Sequence, residues 1–210
     1  MNAIADAPSR VSVLPLVGGE LAFDFTNTSS GRGGPQHKEN LRTPEDLVVW
    51  ARRAMLLAPR DGDYIGKRLA ADAALGAQLL ERALALREVI YAIGMACARG
   101  QRPRRKNIDA LSQAHANFLS KAQLSPHEAN FAWVWHPEEG VIEAILGPIA
   151  LSALTTLVQA NLARVKQCAG EHCGWLFFDA TKNKRRRWCE MEVCGNRAKQ
   201  KAHRARAQER

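Results

Sequence analysis

Four cysteines near the end of the chain carry the clearest chemistry. Cys168 and Cys173 form one Cys-x4-Cys pair and Cys189 and Cys194 a second, with fifteen residues between the pairs. Two such pairs flanking a short spacer are what a four-thiolate zinc site requires. Each pair turns two sulfurs toward one point, and the spacer folds back as a hairpin to bring the pairs together. Gly170 and Gly174 supply the backbone freedom that tight knuckles need. Four thiolates complete a tetrahedral ion, so one structural zinc is expected and His172 is not required as a ligand. The spacing also permits an iron–sulfur centre, whereas a redox dithiol is disfavoured because neither pair is Cys-x-x-Cys. A segment this small has little core, so metal binding of about 10–16 kcal/mol would be most of its folding energy. Four thiolates leave no open metal position for water. The rest of the chain shows no Gly-rich phosphate loop, His-Glu-x-x-His or nucleophile elbow, so an enzyme is not expected.

Basic side chains surround these cysteines. Lys182, Lys184, Arg185, Arg186 and Arg187 fill five of six consecutive positions, interrupted only by Asn183. Beyond Cys194 runs a strong helix former whose only apolar residues are alanines, so as a helix it would be mostly exposed. Arg197, Lys201 and Arg204 fall on one face of it, with Lys199, His203 and Arg206 on the flank. Residues 164–210 hold 13 basic and 5 acidic side chains, and residues 1–163 hold 17 and 16, so nearly all of the net charge of +9 lies in the last quarter. A metal-fixed hairpin that starts a basic helix is suited to rigid phosphate contacts. The expected phosphate contacts are Lys182, Lys184, Arg185, Arg186, Arg187, Arg197, Lys199, Lys201, Arg204 and Arg206, with one or two arginines reading base edges of DNA. The alternative is an RNA-binding or ribosome-associated zinc protein, in which an exposed Trp175 or Trp188 stacks on unpaired bases. The bland alternative is a solubilising tail. One small finger specifies few base pairs, so a homodimer or other partner is expected.

The elements that must position this tail read as a mostly helical body. The chain has 210 residues, 46% of them hydrophobic, which is enough for a core. The first 15 residues look loose and have no basic stretch ahead of an apolar one, and residues 142–165 are broken by polar positions. A cytoplasmic protein with reduced thiols and no membrane contact is expected. In residues 16–28 a Gly-Gly turn precedes an alternation that puts Leu21, Phe23 and Phe25 on one face of a short strand. Thr43-Pro44-Glu45-Asp46 starts a helix that Pro59 closes. Further helices are expected over residues 64–74, 77–99 and 107–119. The longest has Leu79, Ala83, Leu86, Ile90, Ile93 and Cys97 at helical spacing. Residues 131–145 read as a β-hairpin around Pro137-Glu-Glu-Gly140, and Pro148 opens a last helix to about residue 165. The fold class is therefore α+β: a mostly helical domain over residues 1–163 with a small antiparallel sheet, and a small four-cysteine domain over 164–210 made of a hairpin and a basic helix. Cys97 reads as an inert buried thiol, His115 as a core histidine, Trp133 and Trp135 as strand packing, and the basic residues of 99–106 as a solvated loop. Asp24, Asn27, Thr28 and Arg32 place polar groups after a buried strand. They read either as an internal network with Arg87 or Glu88, or as a pocket for a small effector or a dimer contact.

Residues 168–206 resemble the CGNR zinc finger, whose tetrad stands here as Cys194-Gly195-Asn196-Arg197. The match includes Cys-x4-Cys-x-Trp at 168–175, Phe178-Asp179, Asn183 and Arg186-Arg187-Trp188-Cys189-x-Met191. The body resembles the associated ABATE domain at Leu21-x-Phe-Asp-Phe-x-Asn-Thr28 and Leu86-Arg-Glu-x-Ile-Tyr91. The resemblance implies a bacterial, stress-related transcription regulator with a DNA-binding finger, and leaves the role of the N-terminal domain open.

Overall fold

A computed structural model describes residues 9–32 and 34–208. The residues 16–28 segment folds as a helix, α1 (Leu21–Thr26), and not as the expected strand. Its buried residues are Ala22, Phe23, Phe25 and Thr26, a spacing of one, three and four that only a helix brings to one side. Over so short a run, the alternation of Leu21, Phe23 and Phe25 could not separate the two periods. The loose N-terminus falls partly in residues 1–8, outside the described residues. Arg10–Val13, however, form a 3-10 turn that buries Val11 completely.

Two short strands, β1 (Ser29–Ser30) and β2 (Lys38–Glu39), pair antiparallel and lead into α2 (Pro44–Arg53). Thr43 and Asp46 form a reciprocal capping box, with Asp46 N–H donating to Thr43 Oγ1 at 3.3 Å and Thr43 N–H to Asp46 Oδ2 at 3.1 Å. Pro59 does not close α2. It is the first residue of α3 (Pro59–Ala71), where its missing N–H costs nothing. The long α4 (Ala73–Ala98) buries Leu79, Ala83, Leu86, Ile90, Ile93 and Cys97, and burial pushes the Cys97 thiol up. In α5 (Arg105–Leu119), Leu111 and Phe118 are buried and His115 is half-buried, where desolvation pushes its pKa down.

The expected hairpin exists one strand earlier. β3 (Gln123–His127) pairs with β4 (Asn130–Val134), whereas residues 141–145 begin α6 (Val141–Gln159). Seven consecutive residues, Val141 to Gly147, are buried. A segment buried on every side, even at Glu143, carries no period from which to tell strand from buried helix. Pro148 lies inside α6 at the loss of one backbone bond, not at its start. By length and composition α6 could cross a bilayer; 61% of that apolar window is buried against the rest of the chain.

The last strands, β5 (Val165–Gln167) and β6 (Leu176–Phe178), pair antiparallel around the first cysteine pair. Successive residues of a strand face opposite ways, and β6 uses both faces. Leu176 joins the main core with Phe23, Ile93 and Val165, while Phe177 packs in a second cluster with Cys168, Trp175, Cys189 and Cys194. α7 (Asn196–Gln208) follows the second cysteine pair. Fold class matches expectation: mostly helical, with three two-stranded antiparallel ladders among the described residues.

Candidate metal centre and basic surface

The four sulfurs of Cys168, Cys173, Cys189 and Cys194 lie within 4.8 Å of one another, on buried or half-buried residues. Cys189 Sγ is 3.7 Å from both Cys173 Sγ and Cys194 Sγ. A tetrahedral zinc with bonds of about 2.3 Å sets its sulfurs roughly 3.8 Å apart, so the cluster fits one ion. The first knuckle is shaped by turns at His172 and Gly174, both at positive φ. Gly170 packs closely on the cluster: a Cβ there would stand 3.1 Å from Cys194 Sγ, which would have to give by a few tenths of an ångström. The N–H groups of Gly170 and Cys189 donate to Cys168 Sγ, both at 3.3 Å. The second pair is closed by a π-turn over Met191–Gly195. Gly195 sits where a Cβ would collide with Met191 Sδ at 2.4 Å.

The closeness of the sulfurs shows why a cation belongs here. Hydrogen bonds from Cys173 and Cys189 pull Cys168 down. The same bonds to Cys168 push Cys173 and Cys189 up, and burial pushes Cys194 up. Sulfurs this close cannot all ionise without a positive charge between them. Four thiolates around one zinc resolve the conflict and leave no coordination position for water.

α7 grows directly from this centre. Its residues are exposed from Lys199 to Ala207, and it contains Arg197, Lys199, Lys201, Arg204 and Arg206 with no acidic residue. Lys201 Nζ bonds Glu171 of the first knuckle at 2.6 Å in an exposed ion pair. Arg197 and Lys201 line a groove between α7 and that knuckle; Lys199, Arg204 and Arg206 do not. The basic loop is pinned by a buried carboxylate. Asp179 is fully buried, and burial raises its pKa, but bonds from Lys166, Thr181 and the Arg186 N–H outweigh this and hold it well below the usual range. Lys166 Nζ also donates to the carbonyls of Lys184 and Arg186, and Arg164 to those of Asp179 and Thr181. Lys182, Lys184, Arg185 and Arg187 are thereby left exposed on a held backbone. Arg186 is not among them. Its guanidinium donates to the carbonyls of Val17, Trp188 and Cys189 and lies 4.3 Å above the Phe177 ring, so it is an internal brace.

The CGNR zinc finger family matches residues 164–207. The ABATE family, described as "Putative stress-induced transcription regulator", matches residues 19–160. The chain belongs to the ABATE family. Neither family is an enzyme class. No curated protein matches the chain.

The ABATE segment holds the finger through the residues considered above for an effector pocket. Asn27 is buried and pairs with β6 as a strand would: its Nδ2 donates to Leu176 C=O at 2.9 Å, and Leu176 N–H donates to its Oδ1 at 3.0 Å. Asp24 accepts from Gly18 N–H at 2.7 Å, and Gly18 C=O accepts from Phe178 N–H. Burial pushes Asp24 up to about 6 against the bonds from Gly18 and Val17. Thr28 Oγ1 accepts from Arg87, which pairs with Glu39, and Arg32 forms a two-pronged pair with Glu88 at 2.7 Å over the Tyr91 ring. Tyr91 in turn donates to Gly174 C=O at 3.0 Å. Thr28 and Arg32 therefore join Arg87 and Glu88, whereas Asp24 and Asn27 bond Gly18 and Leu176 and tie the body to β6. A cleft of about 690 Å³ lies instead between the residues 30–38 loop and the metal knuckles, lined by Lys38, Trp175 and Arg197 among others. Lys166 and Arg164 escaped the sequence reading, and Asp179 entered it only as part of a family motif, with no role of its own. One signal was there: Asp179 is the only carboxylate between Glu171 and Glu190, amid five cations.

Proposed function

We propose that this ABATE-family chain is a cytoplasmic DNA-binding transcription regulator whose zinc finger sets a basic loop and a basic helix on the phosphate backbone. The observation that carries the reading is α7, which leaves the metal turn at Gly195 with five cations and no acid over 13 residues. Such a helix is roughly 20 Å long and of a width that a major groove admits. Lys182, Lys184, Arg185 and Arg187 extend the phosphate contacts, while the internal bonds of Arg186 give it a positioning role. Stacking of Trp175 on unpaired bases is disfavoured, because the ring is buried and its N–H donates to Ser29 C=O at 3.1 Å. The same reading gives the ABATE segment a small-molecule effector.

The test is duplex-DNA binding by the zinc-loaded protein across salt, beside Cys189→Ser and with structured RNA as competitor. Neutralising about six phosphates gives a slope of log K against log salt near −5. Salt-steep binding that the variant loses and RNA competes for poorly is the expected result. A slope shallower than about −2, equal weak binding by both proteins, or preference for RNA overturns the proposal.

A further inference from the structure

The β3–β4 ribbon is the part of the ABATE segment least explained by the finger. None of its ten residues is buried. The register sets Leu124 opposite Trp133 and Pro126 opposite Phe131, and side chains alternate along a strand, so these four share one face. That face points to solvent: Leu124 is 57% exposed, Phe131 67% and Trp133 41%. On the other face, Ser125, Ala132 and Val134 are half-buried. Just past the ribbon, buried Trp135 anchors its base, with the indole N–H donating to Phe118 C=O at 2.8 Å and the ring filling the space beside Gly147. The ribbon is therefore rooted in the body with its apolar side turned outward. A two-stranded hairpin is marginally stable by itself, and exposed aromatic side chains gain by burial against a partner.

We infer that the Leu124, Pro126, Phe131 and Trp133 face is a contact between two copies of this chain, packed ribbon to ribbon about a two-fold axis. Charge selects this occupant. Residues 122–137 contain a single formally charged side chain, Glu128, in a chain of net charge +9. Nucleic acid finds no cation on this face. Two copies that repel one another elsewhere meet here without like charges, and a flat apolar face is complementary to itself. Size sets the strength. Stacking two such faces removes roughly 350 Å² of apolar surface from each copy, below the ~800 Å² per partner of a standard interface. The dimer is accordingly weak and reversible, with a dissociation constant on the order of 10–100 µM. This inference does not depend on the proposed DNA binding.

Sedimentation equilibrium of the full-length, zinc-loaded protein tests it. The wild type should show a reversible monomer–dimer equilibrium, and Phe131→Lys should weaken it by at least about tenfold through like charges at the contact. Zinc content and far-ultraviolet circular dichroism should stay unchanged, because Phe131 is exposed. Phe131→Glu should also be monomeric, and a mixture of the two variants should recover dimers, which no folding defect could produce. A wild type that stays monomeric up to about 0.5 mM, dimers that persist undiminished in Phe131→Lys, or a mixture that stays monomeric would each overturn the inference.

Discussion

Asn27 is the most exacting test of how the body and the finger are joined. Its carboxamide makes two hydrogen bonds, 2.9 and 3.0 Å long, to the N–H and C=O of Leu176, a residue with no exposed surface. In Asn27→Leu both bonds are lost and both backbone groups stay buried without partners. Each orphaned group costs about 1–3 kcal/mol, so the expected loss is about 3–5 kcal/mol. For a chain of this size that corresponds to roughly 8–15 °C in melting temperature. Asn27→Asp keeps the bond from Leu176 N–H but sets a carboxylate against Leu176 C=O, so it should be at least as damaging at neutral pH. Leu176 lies three residues after Cys173, so both variants should also release zinc faster to a chelator. The assay is thermal unfolding by calorimetry, paired with the rate of zinc transfer to a chromogenic chelator. A loss under about 1 kcal/mol with unchanged zinc release would refute the clasp.

Two further outcomes follow from single side chains. Arg185→Ala should reduce the DNA salt slope by about 1 and leave the melting temperature alone. Arg186→Ala should instead cost about 2–3 kcal/mol, by removing the donor to three carbonyls and the cation over Phe177; the opposite pattern would show that Arg186 faces nucleic acid. Asp24, pushed up to about 6 by burial, makes the folded state bind a proton more tightly than the unfolded chain. Its stabilising contribution is full below about pH 4 and is lost as pH rises through about 6. Relative to Asp24→Asn, the wild type should therefore gain about 1 kcal/mol between pH 8 and pH 5, and a constant difference over that window would rule the shift out.

The metal centre was legible because its rule is local. Two Cys-x4-Cys pairs and a short spacer constrain the backbone within thirty residues, and no distant contact is needed to name the ligands. The N-cap at Thr43 and the apolar stripe of α4 were legible for the same reason. The family motifs were likewise readable as strings, including Gly195, where a Cβ would have to displace the partly exposed Met191 side chain. Burial decided the rest. α1 and the start of α6 carry apolar residues whose partners lie far along the chain, and short or uniformly buried runs have no period to betray their geometry. The pairing of Asn27 with Leu176 spans 149 residues. Arg186 looked like one cation among five until the fold placed Phe177 and three carbonyls around it. The amino-acid sequence set which groups carry charge and which bind metal, since these are properties of side chains at short spacing. Only the tertiary structure decided which polar groups face inward, because a hydrogen bond or a buried contact depends on where the other partner ends up.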